Sequence, residues 1–345
     1  MEPPVSPRVT VVVPNWNGER FLETCLSSLR RQTFRDFEVV LADNGSTDGS
    51  VGFVGENFPE VGVVRLPENR GFSAAVNAGI KASSPAAEHV VLLNNDTEVE
   101  PGWLGALVEA ADRHPEAGLF ASKLVDFEDR RVLDGAGDAL RKSGLPFRVG
   151  HGEVDRGQFD RETFVFSACA AAALYRSSLF EEIGLFDEDF FSNCEDGDLS
   201  FRAQLAGHRC LYVPRSVVYH MGSASTGGTR STTNTRLGTQ NSINLLVKNL
   251  PSSLILRALP HLLVGQLLRL LTAVHFSGGL LRAYLAGLAG AWKQLPMMLK
   301  KRREIQARRR VSDDYVWGLL QESSRRAARS QRRRARDQVS LRLSR

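Results

Sequence analysis

The four cysteines of the chain, Cys25, Cys169, Cys194 and Cys210, form no Cys-x-x-Cys pair. That removes the usual sequence grounds for a structural zinc or a dithiol redox centre and leaves buried free thiols as the expectation. Neither a Gly-x-Gly-x-x-Gly fingerprint nor a P-loop occurs, so nothing points to a nicotinamide cofactor or to NTP hydrolysis. The opening MEPPVSPRVT lacks the basic, apolar and small-residue regions of a secretory signal, which gives the expectation of a cytoplasmic protein. No run of about 18 uncharged apolar residues is present, so a membrane-crossing helix is not expected. There is also no internal repeat.

What is present is an ordinary soluble composition over 345 residues, 42% apolar and 24% charged, enough for one large domain or two intimate ones. The net charge of +5 hides a strong asymmetry: from Lys300 onward there are 16 Lys/Arg against 5 Asp/Glu. The body before that tail is therefore acidic, which argues against a nucleic-acid groove across it, while the tail suits an anionic surface such as a phospholipid leaflet.

Short β-rich runs alternate with helical stretches over the first hundred or so residues, the pattern of a mainly parallel sheet with covering helices. VTVVV (Val9 to Val13), FEVVLA, VGVVRL and EHVVLL each end in a polar loop bearing Gly or Asn. Loops that follow parallel strands share one edge of the sheet, where open α/β folds bind ligands. Beyond about Glu116 the pattern is less regular, with a strand pair or strand and turn over 163–176, a helix from about Glu195 and a strand near Arg209 to Val213. From Pro251 to Leu299 the chain is Leu- and Ala-rich but interrupted by cations, which fits amphipathic helices lying on a membrane or packing on a partner. The Arg-rich end is expected to be partly disordered.

Several of these loops carry chemistry-bearing residues, each with a plainer reading beside the functional one. Asn94, Asn95 and Asp96 close an apolar strand; one carboxylate among neutral oxygen donors suits a cation already held by phosphates, or simply an Asx turn. Asp43 leaves a strand end before a Gly/Ser/Thr turn, where it suits a ribose or base edge, or an Asx turn alone. Glu195, Asp196 and Asp198 begin a helix, where acids complement the dipole, yet clustered like charges also raise a pKa as a general base requires. His220 follows a strand and precedes a Ser/Gly/Thr-rich segment read as a mobile closing loop; it is a packed histidine or a metal ligand.

Taken in order, VVVPNWNGERFLETCLSSLRRQT, VVLADNGSTDGS, ENRGFSAAVNAGI, LLNNDTEVEPGWL, EDGDLSFRAQLAG and VVYHMGSAS resemble family 2 glycosyltransferases, most of all the rhamnosyltransferase-like branch. The resemblance spans roughly residues 8 to 250. It implies an α/β fold of the GT-A type with a mainly parallel central sheet, a nucleotide-diphosphate-sugar donor, Mg2+ or Mn2+, and inversion at the anomeric carbon. By position it assigns Pro14, Asn17, Asp43, Asn69, Gly71, Phe72, Asn77, Asn94 and Asn95 to the donor, Asp96 and His220 to the metal, and Asp196, paired with Glu195, to the base. The resemblance together with the apolar and charge pattern divides the chain into an N-terminal tail (1–7), a donor half (8–115), an acceptor and catalytic half (116–250), membrane-surface helices (251–300) and a basic tail (301–345). The implied acceptor is a hydroxyl of a cell-envelope glycan or lipid-linked saccharide. The implied setting is the inner face of the cell membrane, with a homo-oligomer through the C-terminal helices as a further expectation. Gln240-Asn241 stands where the branch often has Arg-Asn, which weakens any grip on an acceptor phosphate there. A sugar nucleotidyltransferase and an inactive membrane-associated scaffolding module are the rival readings.

Overall fold

The computed structural model describes residues 6–222 and 231–343. Among these residues twelve strands follow one another as β1 (Val9–Asn15), β2 (Phe37–Asp43), β3 (Gly62–Arg65), β4 (His89–Leu93), β5 (Thr97–Val99), β6 (Ala117–Asp126), β7 (Leu133–Ala136), β8 (Asp138–Leu140), β9 (Pro146–Arg148), β10 (Thr163–Val165), β11 (Ala172–Arg176) and β12 (Arg209–His220). The helices are α1 (Glu19–Arg30), α2 (Ser50–Asn57), α3 (Phe72–Ala82), α4 (Trp103–Arg113), α5 (Ser177–Ile183), α6 (Glu195–Leu205), α7 (Thr232–Asn249), α8 (Ser252–Phe276), α9 (Gly278–Ala307) and α10 (Asp313–Leu343).

One mixed sheet runs through both halves of the chain in the order β10-β12-β6-β11-β4-β1-β2-β3. β3, β2, β1 and β4 are parallel, as is the β6–β12 pair; β11 lies antiparallel between β4 and β6 and joins the two parallel blocks. β1 shows why the pattern holds. Its β-branched residues favour the pleat, and because side chains alternate across a strand it fills two cores at once. Val9, Val11 and Val13 pack with Leu22, Leu26, Trp103 and Leu107 from α1 and α4, whereas Val12 packs with Val76 of α3 on the other face. Each fully buried aliphatic side chain of this kind contributes about 1.5–3 kcal/mol. The result is a rigid sheet whose β1, β2 and β4 carboxyl ends lie side by side.

The C-terminal helices dock on the second half instead of trailing from it. Leu245 and Leu250, Leu254 and Ala258, and Val316, Trp317 and Leu320 form a third core with Phe166, Phe190 and Phe201. The tail expected to be partly disordered is helical over α10. Ser323 and Ser330 donate or accept at buried backbone and carboxylate groups, including Leu140 N–H to Ser323 Oγ at 2.8 Å and Gly150 N–H to Ser330 Oγ at 2.9 Å. Arg333 meets the buried Glu153 at 2.6 Å, so part of the basic charge is used inside the fold. Among the described residues one helix, α8, is long and apolar enough to cross a membrane by length and composition, with mean hydropathy 1.5. Two arginines interrupt its apolar run, so no uncharged stretch of about 18 residues marks it in the sequence.

Candidate active site

A cleft of about 800 Å3 opens along the carboxyl ends of β1 and β4. Its walls include Pro14, Trp16, Asn44, Asn69, Gly71 and Phe72 on one side and Arg148, Cys169, Glu195, Asp196 and His220 on the other, with Asn94, Asn95 and Asp96 between them. A lattice of amides fixes the floor. Asn15 accepts from Asn95 Nδ2 at 2.7 Å and donates to Asp43 Oδ1 and Ser46 Oγ, each at 3.2 Å, so the loops after β1, β2 and β4 are tied together. Asn44 donates to Asn69 Oδ1 at 3.0 Å, and Asn69 in turn accepts the Gly71 N–H at 2.9 Å. Two glycines make the close approaches. Gly71 has φ +89° and a Cβ there would lie 2.6 Å from Phe191; a Cβ at Gly18 would lie 2.1 Å from Asn95 Nδ2.

Not every residue expected at the donor site reaches this wall. Asp43 is fully buried, and its carboxylate is occupied by the Asn15 amide, the Ser46 N–H at 3.1 Å and the Arg65 guanidinium at 3.5 Å. Asn77 is buried as a clamp, donating to Phe186 O at 2.9 Å and accepting the Phe186 N–H at 3.0 Å. Asn17, with φ +49°, is exposed and accepts the Thr47 N–H at 2.8 Å. All three shape the loops from behind the cleft. Gln240 also faces away from it, bonded to Gln294 of α9 at 3.0 Å.

At the far end of the floor Asp96 Oδ1 lies 3.5 Å from His220 Nε2, and His220 Nδ1 lies 2.7 Å from Asp134 Oδ2. A carboxylate on one ring nitrogen fixes the other toward Asp96, the arrangement that orients a ligating imidazole. Burial disfavours the imidazolium, but the hydrogen bonds of Asp134 and Asp96 outweigh it and raise His220 to about 9. Burial likewise opposes ionisation of Asp134, yet its bonds from His151 and His220 and the Arg148 charge hold it well below the usual carboxylate range. The Asn94 Oδ1 beside them is buried with no hydrogen-bond partner, an oxygen donor left over in a site that already holds a carboxylate and an imidazole. With a cation displacing the His220 proton, these groups could hold a divalent ion, Asp96 and His220 each offering one ligand atom. The Ser/Gly/Thr-rich segment after His220 lies, over 223–230, outside the described residues.

The acidic pair sits where the chain is most strained. Phe191, Asn193 and Cys194 have φ of 59°, 73° and 71° immediately before α6, conformations that cost of order 1–3 kcal/mol each and persist only when held. Asn241 of α7 holds them: its side-chain nitrogen lies 2.7 Å from Phe190 O and 2.9 Å from both Ser192 O and Asn193 O. Burial and the Asp196 charge raise Glu195 to about 8, and one of its oxygens is buried without a partner. Burial also raises Asp196, opposed by N–H bonds from Gly197 at 2.7 Å and Ala170 at 3.3 Å and by the Arg148 charge.

Sequence reasoning missed the groups behind this pair. Asp138, Cys169 and Asp196 place their ligand atoms within 4.8 Å of one another, but Arg148 already supplies positive charge there, 3.1 Å from Cys169 Sγ and 3.8 Å from Asp138 Oδ1. Burial, with the Asp196 charge added, raises Asp138 to about 7. The signal was the pair of aspartates flanking the glycines of LDGAGD, Asp134 and Asp138, which resembles an ordinary turn until β7 and β8 are seen to pass beneath the cleft.

The description Glycosyl transferase family 2 matches residues 10–184. An N-acetylglucosaminyl-diphospho-decaprenol L-rhamnosyltransferase of Mycobacterium tuberculosis is 31% identical over 239 residues, 63% of this chain and 77% of that protein. Among solved structures, a Pyrobaculum calidifontis mannosyltransferase in complex with GDP-Man and Mn2+ superposes with TM-score 0.54 at 20% identity, covering 95% of this chain and 87% of that one. S. aureus TarS 1–349 in complex with UDP-GlcNAc gives TM-score 0.56 at 18% identity, covering 94% and 91%. These structural likenesses establish the GT-A type of fold.

Proposed function

The chain belongs to glycosyl transferase family 2, and from that premise we propose that it moves a sugar from a nucleotide-diphosphate donor to a hydroxyl of a lipid-linked saccharide, with inversion at the anomeric carbon. The observation that carries the reading is convergence: Asp96, His220 and the Glu195–Asp196 pair come from three distant segments and meet on one cleft. The donor would lie over the amide lattice, its diphosphate toward Asp96. A divalent cation held by Asp96 and His220 would neutralise charge on the departing diphosphate.

The chain's own groups supply the rest. Asp196 takes the proton of the acceptor hydroxyl as that oxygen attacks the sugar; burial raises it, as a general base requires, and its two backbone N–H bonds oppose that rise. Burial and the Asp196 charge raise Glu195 to about 8, so the adjacent acid resists ionising beside the base. Trp16 and Phe191, 44% and 42% exposed at the cleft, offer apolar faces against which sugar or base can pack.

The acceptor class rests on the 31% identical relative, whose name specifies a lipid diphosphate acceptor bearing N-acetylglucosamine. The test is to incubate the full chain with Mn2+, a panel of nucleotide-sugars and N-acetylglucosaminyl-diphospho-polyprenol. One donor should give a disaccharide lipid whose new linkage is inverted by NMR; retention, or no transfer from any donor, contradicts the reading.

A further inference from the structure

We propose that the outer face of α8 and α9 is a docking surface for an anionic phospholipid leaflet, one that lies on the membrane without crossing it. The arrangement of α8 is inverted relative to a helix covering a soluble core. Apart from Leu254 in its first turn, small residues face the protein: Ala258, Gly265 and Ala273 are buried, and a Cβ at Gly265 would lie 2.8 Å from Ser143 O. The large apolar residues face outward, with Leu256, Leu263 and Leu271 exposed by 80%, 63% and 55%, and Trp292 of α9 by 75%. A continuous exposed apolar stripe of this length marks an interaction surface.

Charge selects the occupant. From Leu199 to Arg303 the chain contains no Asp or Glu, although it has 39 in all. The charged residues of α8 and of α9 up to Arg303 are therefore all cations, with Arg257, Arg282, Lys293 and Lys300 exposed; Asp313 meets only the first turn of α8, at Ser253, and Glu304 lies in the last turns of α9. Leucines that enter the acyl boundary beside cations that stay among headgroups are the chemistry of an interfacial helix on an anionic leaflet.

The packing of α8 argues for lying on the membrane. Arg269, in the middle of the helix, is fastened to α7 through Gly238 O at 2.8 Å and Ser242 Oγ at 2.7 Å. Crossing the bilayer would carry α7, with its buried polar residues Thr239, Gln240, Asn241 and Asn244, into hydrocarbon. The placement also has a use, which rests on the acceptor proposed above. The α8–α9 turn sits against the start of α7, where a Cβ at Gly279 would be 3.8 Å from Thr232 Cγ2, and the next residues, Thr233, Asn234 and Leu237, line the cleft. Docking therefore brings the cleft's α7 rim to the headgroup plane, where a lipid-linked diphosphate is presented.

The test is flotation of the full chain on phosphatidylcholine vesicles with and without phosphatidylglycerol, at low and high salt, beside the double variant Leu263→Glu, Leu267→Glu. Wild type should float with the anionic vesicles and less so in high salt. The double variant should lose at least about tenfold in partitioning, with unchanged melting temperature and unchanged Mn2+-dependent binding of a nucleoside diphosphate. Flotation of the variant equal to wild type, or none by wild type, overturns the proposal. So does resistance of the bound chain to alkaline extraction, which would mean a spanning helix. A wild-type dimer that the variant dissolves, with no flotation, would mean that a second copy covers the face. Nucleoside-diphosphate binding reads the cleft independently of vesicles, so loss of one reading leaves the other intact.

Discussion

Asp196 and Glu195 are adjacent buried carboxylates, both raised by burial, and mutation separates the roles proposed for them. Glu195→Gln is the near-isosteric control. That variant should keep most of its turnover, while Asp196→Asn should lose roughly 10²–10⁴ in kcat with donor affinity unchanged. The pH–rate profile adds a sign. Asp196 must be ionised, so the rate rises with pH through its elevated titration, and wild type should show a further inflection near 8 that Glu195→Gln lacks. Steady-state kinetics from pH 5 to 9 measures both, and a more damaging Glu195→Gln would exchange the assignments. Asp134 carries a second prediction: by fixing the His220 ring it prepares the cation site. Asp134→Asn should raise the Mn2+ concentration needed for half-maximal activity by about 10–100-fold, and an unchanged metal titration would make Asp134 structural only. Motif residues that touch the cleft were legible because their types announce chemistry. Asp134, Arg148 and Asn241 were not, because each acts through a partner that only the fold brings near.

The elements themselves follow from local pattern where the pattern has one period. β1, β2 and β4 were legible because runs of Val, Leu and Phe between Gly- and Asn-bearing loops match strands buried on both faces. Strands were also expected over 163–176, where β10 and β11 lie, but the antiparallel direction of β11 was not legible, because it depends on neighbours from both halves. The tail was misread because its arginines looked like a solvated run, whereas Glu153 and Asp337 lie on the same interface and pair with Arg333 and Arg156. The lock between body and C-terminal helices is polar and buried. Lys248 of α7 lies 2.7 Å from both Asp187 and Asp198, Arg202 lies 2.9 Å from Asp198, and Lys301 of α9 lies 2.5 Å from Asp187. Burial draws the ammonium of Lys248 below its ordinary value, and the same burial is overcome at Asp198 and Asp187, whose pKa values the neighbouring cations depress. Depressed carboxylates contribute stability that is complete above their unfolded value near 4 and is lost as pH falls through the folded values. Lys248→Met should therefore cost about 3–5 kcal/mol at pH 7 in urea unfolding and make the acid decline of stability shallower. An acid slope equal to wild type would show that the three charges are not coupled.

At the scale of the molecule, one sheet positions both the cleft and the outer apolar face. Its β1, β2 and β4 ends hold the loops of the cleft proposed to take the donor, and its second half supplies α6, over which α7 and the C-terminal helices pack to place that face beside the cleft's α7 rim. The account stands or falls on whether the cleft binds a nucleoside diphosphate through a cation at Asp96. The direct measurement is calorimetric titration of UDP, GDP and dTDP into wild type and Asp96→Ala, each with Mn2+ and with chelator. One nucleotide should bind wild type at least about tenfold more tightly with Mn2+, a difference of some 1.4 kcal/mol, and Asp96→Ala should erase that difference while melting at the wild-type temperature. Equal affinities with Mn2+ and chelator in wild type, or an Asp96→Ala protein that keeps the full Mn2+ enhancement, would contradict it.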